Sequence, residues 1–192
     1  MAPGSRLSLL NCRFRRICVS VDMSEKMTAT LWLLRHAHAG LARPGERDCD
    51  RVLDETGKRE IEQLKDQIQA LNISVEEAVC SPSERTRQTL QRLAPAFAHI
   101  DKQSEDERLY QNGLEGYFRT IESREICPSL LIIGHNPMIE ELAFRLAACQ
   151  EAPGGDFLKR GFPTAGLFEF CFSSALNLGE GSAQMGRFFV PG

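Results

Sequence analysis

From Thr30 onward, apolar residues fall into short runs separated by longer amphipathic stretches. Leu31-Trp32-Leu33-Leu34 is a four-residue apolar run closed by Arg35, the pattern of a strand buried on both faces. Residues 41–54 are polar around Pro44-Gly45 and predict a loop. From Glu55 to Leu71 the positions Ile61, Leu64, Ile68 and Leu71 recur every three or four residues, which predicts a helix capped by Asp54 or Thr56. Ala78-Val79-Cys80 reads as a second strand. Ser81-Pro82 opens a helix through Leu93, with Pro82 near the first turn, where its missing N–H costs little. Leu130-Leu131-Ile132-Ile133 is a third buried strand, and Asn136-Pro137 starts a helix running through Ala148. Ala165–Phe172 and Arg187–Val190 read as two terminal strands around a Gly/Ser/Asn-rich loop. Strands alternating with helices predict an α/β domain with a largely parallel sheet.

The first 28 residues do not share this pattern. They carry five basic residues against two acidic ones, +3 net, which leaves −6 for residues 29–192. An Arg- and Ser-bearing, acid-poor start is compatible with an organellar targeting peptide. The plainer expectation is a disordered extension, or a segment upstream of a true start at Met23 or Met27. The folded domain is expected to be residues 29–192.

Composition narrows the class. With 192 residues, 42% hydrophobic and 26% charged, the chain has the makings of one globular core. No run approaches the ~18–20 apolar residues that span a bilayer, so no membrane role is expected. A net charge of −3 offers no field to attract nucleic acid. Seven cysteines, at 12, 18, 49, 80, 127, 149 and 171, cannot all pair, and none form a C-x-x-C. With no secretory signal, free thiols in a reducing cytosol are expected, which points to a cytoplasmic location; the protein is also expected to be a monomer.

The residues after each strand carry the chemistry. Arg35-His36-Ala37-His38 follow the first, Ser81-Pro82 and a helix bearing Arg85 and Arg87 follow the second, and Gly134-His135-Asn136 follow the third. In open α/β sheets, ligands bind beyond the carboxyl ends of the strands. Three parallel strands would therefore bring Arg35, His36, Arg85 and His135 to one rim. Two imidazoles beside two guanidiniums suit a tetrahedral anion, because the planar fork of arginine matches phosphate oxygens.

Other arrangements are excluded or weaker. Arginine stands fifth after Cys80, not sixth, so a cysteine-phosphatase loop is one residue short. There is no Walker loop and no G-x-G-x-x-G. His38 could pair with His36 as a chelate, but no carboxylate or cysteine completes a metal set, and a surface loop is its default. Asp48, Asp50 and Asp54 lack EF-hand spacing and read as a solvated loop.

Taken in order, these segments resemble the histidine phosphatase superfamily, and within it the small SixA-type phosphohistidine phosphatases. Leu33-Leu34-Arg35-His36-Ala37 is similar to the opening motif, and Arg51-Val52-Leu53-Asp54-Glu55-Thr56-Gly57 to the R-P-L-T-x-x-G segment. Cys80-Ser81-Pro82-Ser83-Glu84-Arg85-Thr86-Arg87-Gln88-Thr89 is similar to S-S-P-x-x-R-x-R-Q-T. Glu107-Arg108-Leu109-Tyr110, Gly134-His135-Asn136-Pro137 and Phe162-Pro163-Thr164-Ala165 complete the series. Ala37 replaces the motif's glycine, and Val52 a usual proline.

The resemblance implies a phosphoglycerate-mutase-like three-layer sandwich with helices on both faces of the sheet. It implies His36 as a nucleophile that becomes phosphohistidine, with Arg35, Arg85 and His135 binding the phosphoryl oxygens and no metal or organic cofactor. For His36 to attack it must be neutral, and repulsion from Arg35 and Arg85 is expected to keep it so. His135 is expected to donate to the phosphoryl oxygens, most strongly if protonated. Arg51 is either an outer phosphate contact or a salt-bridge residue.

Larger relatives acting on esters carry a glutamate acid soon after an Arg-Leu pair, whereas here Arg108-Leu109 is followed by Tyr110-Gln111. That absence suits a P–N substrate, whose imidazole departs more easily than an alkoxide. Only 47 residues separate Arg87 from His135, too few for a cap domain. An uncapped site suits a phosphohistidine on another protein, such as a phosphotransfer domain. The alternatives are a phosphatase for a small phosphomonoester, with Glu107 or Asp106 as acid, and a phosphate-binding adaptor without turnover. The adaptor would be marked by loss of His36 or an arginine partner, and both are present.

Overall fold

A computed structural model describes residues 29–124, 127–147, 161–173, 176 and 178–192. The expected N-terminal extension, Ala148, and Cys12, Cys18 and Cys149 lie outside the described residues. Among the described residues the strands are β1 (Ala29–Arg35), β2 (Ser74–Cys80), β3 (His99–Glu105), β4 (Ser129–Gly134), β5 (Leu167–Phe172) and β6 (Gln184–Phe189). They form one sheet in the order β3-β2-β4-β1-β5-β6. β3, β2, β4 and β1 are parallel, β5 runs antiparallel to β1, and β6 antiparallel to β5.

The period-2 geometry of the strands divides the core in two. Leu31, Leu33, Leu130 and Ile132 face α4 (Gly113–Glu122) and α5 (Met138–Ala147), meeting Tyr117, Ile121, Ile139 and Leu142. Trp32, Leu34, Leu131 and Ile133 face the other way, onto α1 (Glu55–Leu71) and α2 (Glu84–Leu93), through Ile61, Leu64, Ile68, Leu90 and Leu93. At roughly 1.5–3 kcal/mol for each fully buried Leu or Ile, this double-sided burial drives the fold. The result is the three-layer α/β arrangement implied by the resemblance.

α1 spans the predicted range and is capped as expected: Asp54 Oδ1 accepts the N–H groups of Thr56 and Gly57, both at 3.0 Å. Asn72 closes the helix in the left-handed region, φ 52°. α2 begins later than predicted, at Glu84, because Ser81 and Ser83 are buried in the turn leaving β2. β3 was not foreseen. As an edge strand it leaves most of its side chains exposed, so it has neither an apolar run nor a one-sided alternation to mark it. The remaining chain before β4 forms β3, α3 (Arg108–Gln111) and α4, with Gly113 at φ +57° making the junction between these helices. No length is left there for a cap. Among the described residues no helix is long and apolar enough to cross a membrane, and Cys49, Cys80, Cys127 and Cys171 are free thiols.

Candidate active site

β2, β4 and β1 are adjacent and parallel, so their carboxyl ends lie side by side, with Arg35 paired to Gly134 and Cys80 to Ile133. The ladder continues one step past the strands. His36 N–H donates to the Gly134 carbonyl at 3.1 Å, and Ser81 N–H to the Ile133 carbonyl at 3.1 Å. His36, Ser81 and His135 therefore emerge together, the two imidazole centroids 5.1 Å apart.

His36 has a defined tautomer. Its Nδ1 lies 2.8 Å from the Ala37 carbonyl oxygen, which can only accept, so the ring hydrogen is on Nδ1. Nε2 then presents its lone pair, and Arg85 Nε donates to it at 3.3 Å. The pKa of His36 is pushed down to about 4. Burial is the leading cause, with Arg85, Arg35 and Arg51 adding to it. The neutrality expected from arginine repulsion thus comes first from desolvation.

His135 is neutral as well, its pKa pushed down to about 3 by burial and then by His36 and Arg85. These surroundings favour the neutral form of His135 at neutral pH over the protonated form expected to donate most strongly. Its Nε2 lies 2.8 Å from Ser81 Oγ, on a fully buried serine. This bond can run from the hydroxyl to Nε2, which leaves the ring hydrogen on Nδ1, or from Nε2–H to the hydroxyl. Nδ1 is buried and unpartnered, as is Nε of Arg35. Arg35 is anchored through Nη1 to the Phe162 carbonyl at 2.7 Å.

Arg85, only 6% exposed, divides its donors. Nε faces His36, while Nη1 donates to the Asp48 carbonyl oxygen at 2.6 Å and Nη2 to Asp48 Oδ2 at 2.9 Å. The reading of Asp48 as a solvated loop residue is thereby corrected. It lies in a short 3-10 turn, Asp48–Asp50, with its carboxylate drawn to the site by three partners. Arg51 Nη1 donates to Oδ1 at 2.8 Å and the Tyr110 hydroxyl to Oδ2 at 2.9 Å. The bond from Arg51, with those from Tyr110 and Arg85, holds the Asp48 carboxyl well below the usual carboxylate range. Arg51 accordingly takes the salt-bridge option, and its Nε donates to the Gly40 carbonyl at 2.8 Å.

Tyr110 stands with its ring edge-on to His135, centroids 5.6 Å apart. Sequence reasoning gave no role to Asp48, Ser81 or Tyr110, although the last two lay within quoted motifs.

The other candidates lie apart from this cluster. Glu107 is exposed and touches Gln111. Asp106 is buried beneath Arg108 and Thr120; burial pushes its carboxyl up, but these bonds prevail and hold it at about 2. His38 is exposed and bonds Asp54 at 2.7 Å. Arg87 pairs with Glu105 on the surface. Burial pushes the Cys80 thiol up to about 12, so it is no nucleophile at neutral pH. No group of three or more His, Cys, Asp or Glu suited to a metal ion occurs among the described residues. A cavity of about 500 Å³ near Glu77, Lys102, Arg108 and Arg124 shares no residue with the cluster. Its cations are already ion-paired to Glu77 and Asp106.

Comparison with known proteins agrees with this geometry. Residues 31–124 match the family model of the histidine phosphatase superfamily (branch 1). A solved structure from Agrobacterium tumefaciens, named as the phosphohistidine phosphatase SixA, is 30% identical at a TM-score of 0.72, covering 86% of this chain and 99% of that one. A second of that name, from Nakamurella multipartitia, is 26% identical at a TM-score of 0.72, covering 88% and 99%. The protein histidine phosphatase SixA complexed with tungstate shares the fold at 17% identity and a TM-score of 0.66, covering 84% and 97%. No curated protein matches. The family model begins on the strand that delivers Arg35 and His36, and a 30%-identical structure is covered over 99% of its length. The chain therefore belongs to the histidine phosphatase superfamily and is a phosphatase, a hydrolase of phosphoryl groups.

Proposed function

We infer that residues 29–192 form one domain that removes phosphate from a phosphohistidine-bearing protein, through a phosphohistidine formed on His36. The observation that carries this reading is His36 itself: Nδ1 tied to the Ala37 carbonyl, and Nε2 left as a lone pair beside the Arg85 guanidinium. In the first step the Nε2 lone pair attacks phosphorus in line. The P–N bond to the substrate imidazole breaks, and the departing nitrogen takes a proton from solvent. In the second step water attacks, the P–Nε2 bond breaks, and inorganic phosphate leaves with His36 restored. Arg35 and Arg85 spread positive charge over the equatorial oxygens, as arginines do elsewhere in phosphoryl transfer for roughly 10³–10⁵ in rate. His135, its ring centroid 5.1 Å from that of His36, adds a neutral imidazole beside the phosphoryl group. That charge comes from the protein's own guanidiniums, so the reading includes turnover without a metal ion.

Two features support a P–N rather than a P–O substrate. Asp48, the carboxylate bonded to Arg85 and Arg51, is held ionised by its arginines and has no proton to give an alkoxide at neutral pH. Glu107 and Asp106 make no bond to His36, Arg85 or His135 among the described residues. The stretch between α2 and β4, which leaves no length for a cap, supports a substrate side chain that projects from another macromolecule. A phosphotransfer domain such as those of phosphorelay proteins has the chemistry to be that partner.

The test is to incubate the protein in EDTA with a phosphohistidine-bearing phosphotransfer domain and follow acid-labile phosphate, beside His36→Ala. Loss of phosphate with the wild type alone is expected. Turnover by His36→Ala, or preference for phosphoserine or small esters, overturns the reading.

A further inference from the structure

We propose that Asp48 is a positioning residue for Arg85, clamping the far end of its guanidinium so that the Nε edge faces the nucleophile. The inference rests on the reading of His36 and Arg85 given above and extends it to a residue outside the three strand ends.

The geometry is specific. A guanidinium has two edges able to receive an oxyanion, one formed by the two Nη groups and one by Nε and an Nη. Asp48 takes the first edge with two oxygens, its backbone carbonyl at Nη1 (2.6 Å) and Oδ2 at Nη2 (2.9 Å). Arg85 Nε is left pointing at His36 Nε2, 3.3 Å away. A phosphoryl group on His36 Nε2 would therefore meet the Nε edge of a guanidinium whose plane is already fixed. Rotation of that plane would require both Asp48 bonds to break.

Asp48 is itself held. Arg51 grips Oδ1, the Tyr110 hydroxyl grips Oδ2, and Arg51 is tied in turn to the Gly40 carbonyl. The clamp thus joins the 41–54 loop and α3 to the strand-end cluster. Its anion also offsets part of the repulsion among Arg35, Arg51 and Arg85, beside the attraction that Glu140 and Glu60 exert on Arg35. The side chain is half exposed, so the clamp is reinforced by geometry more than by low dielectric.

The opposite role is equally concrete: an internal anion that competes with phosphate for Arg85 and must be displaced. The two make opposite predictions for the affinity of inorganic tungstate. If Asp48 positions Arg85, Asp48→Asn weakens tungstate binding and lowers kcat by about tenfold to 100-fold, since misplacing a group by an ångström costs on that order. If Asp48 competes, the same variant binds tungstate more tightly.

The experiment measures tungstate affinity by calorimetry and kcat and KM on a phosphohistidine-bearing domain. The proteins are wild type, Asp48→Asn, Arg85→Ala and the double variant, each checked for an unchanged melting profile. Because Asp48 is argued to act through Arg85, its substitution should have no further effect in the Arg85→Ala background. A loss that persists there, or tungstate affinity unchanged or tighter in Asp48→Asn alone, overturns the inference. If the wild type itself neither binds tungstate nor turns over substrate, it is the functional reading that fails.

Discussion

Ser81 Oγ and His135 Nε2 lie 2.8 Å apart in a site where the serine is wholly buried. We expect the hydroxyl to donate to Nε2, so that the ring hydrogen of His135 is held on Nδ1, which has no partner among the described residues. Ser81→Ala removes the donor without adding volume. The ring is then free to carry its hydrogen on either nitrogen, and the pocket loses an oriented donor for part of the time. Removing an oxyanion donor outright typically costs ~10²–10³ in rate; loss of the residue that orients it should cost about tenfold in kcat. ¹⁵N shifts of His135 should move from one tautomer in the wild type to a mixture in the variant. An unchanged tautomer would remove Ser81 from this role.

Both site imidazoles titrate far below an ordinary histidine, His36 at about 4 and His135 at about 3 against 6.5. A depressed histidine pKa means that the unfolded chain binds more protons than the folded one below 6.5. Stability therefore falls with pH from about 6.5 and the loss levels off once the folded-state values are passed. Activity should keep its competent neutral imidazoles down to about pH 5. An NMR titration of the imidazole C–H signals checks this: those of His36 and His135 should stay flat from pH 7.5 to 5. A midpoint near 6.5 for either would show that the burial ascribed to it is absent.

Much of this was legible from the chain because β1, β2 and β4 are buried on both faces, so their apolar runs stand out, and each ends abruptly in functional residues. The α1 stripe and its Asp54 cap were legible for the same reason, since local periodicity and local capping act within a few residues. β3 was hidden because an edge strand with exposed side chains needs no apolar signature. Asp48 was hidden for a different reason. Its bonds to Arg85 span 37 positions in sequence, and nothing local separates an aspartate in a polar loop that meets solvent from one that meets a guanidinium. The leading cause of the His36 shift was hidden likewise, because the sequence shows the arginines but not the burial.

Of Glu107 and Asp106, the two sequence candidates for a leaving-group acid, Glu107 is exposed on the surface beside Gln111. Glu107→Gln should therefore leave kcat on a phosphohistidine substrate within about twofold, as expected for a surface substitution away from buried features. The same variant should not change the ratio of ester to phosphohistidine turnover. A drop of tenfold or more confined to esters would reinstate Glu107 as their acid.

Gly134, the last residue of β4, has no Cβ because Tyr117 occupies that space. A methyl group built there meets the Tyr117 hydroxyl and ring, with Cε1 at 2.7 Å and Cζ at 2.8 Å. The ring is wholly buried in the core below the site, so it has no path to solvent. Its hydroxyl oxygen accepts the backbone N–H of His135 at 2.8 Å, fixing the residue that follows the strand. Gly134→Ala should force the ring aside, costing about 1–3 kcal/mol for overpacking. Release of the His135 amide from its acceptor should add ~1–3 kcal/mol. Tyr117→Phe keeps the ring and removes only the oxygen, so it should carry the second cost without the first. In urea unfolding the midpoints should rank wild type, then Tyr117→Phe, then Gly134→Ala, with kcat reduced in both variants because His135 is no longer tethered. Equal midpoints for Gly134→Ala and wild type would show that Tyr117 does not pack against β4 in this way.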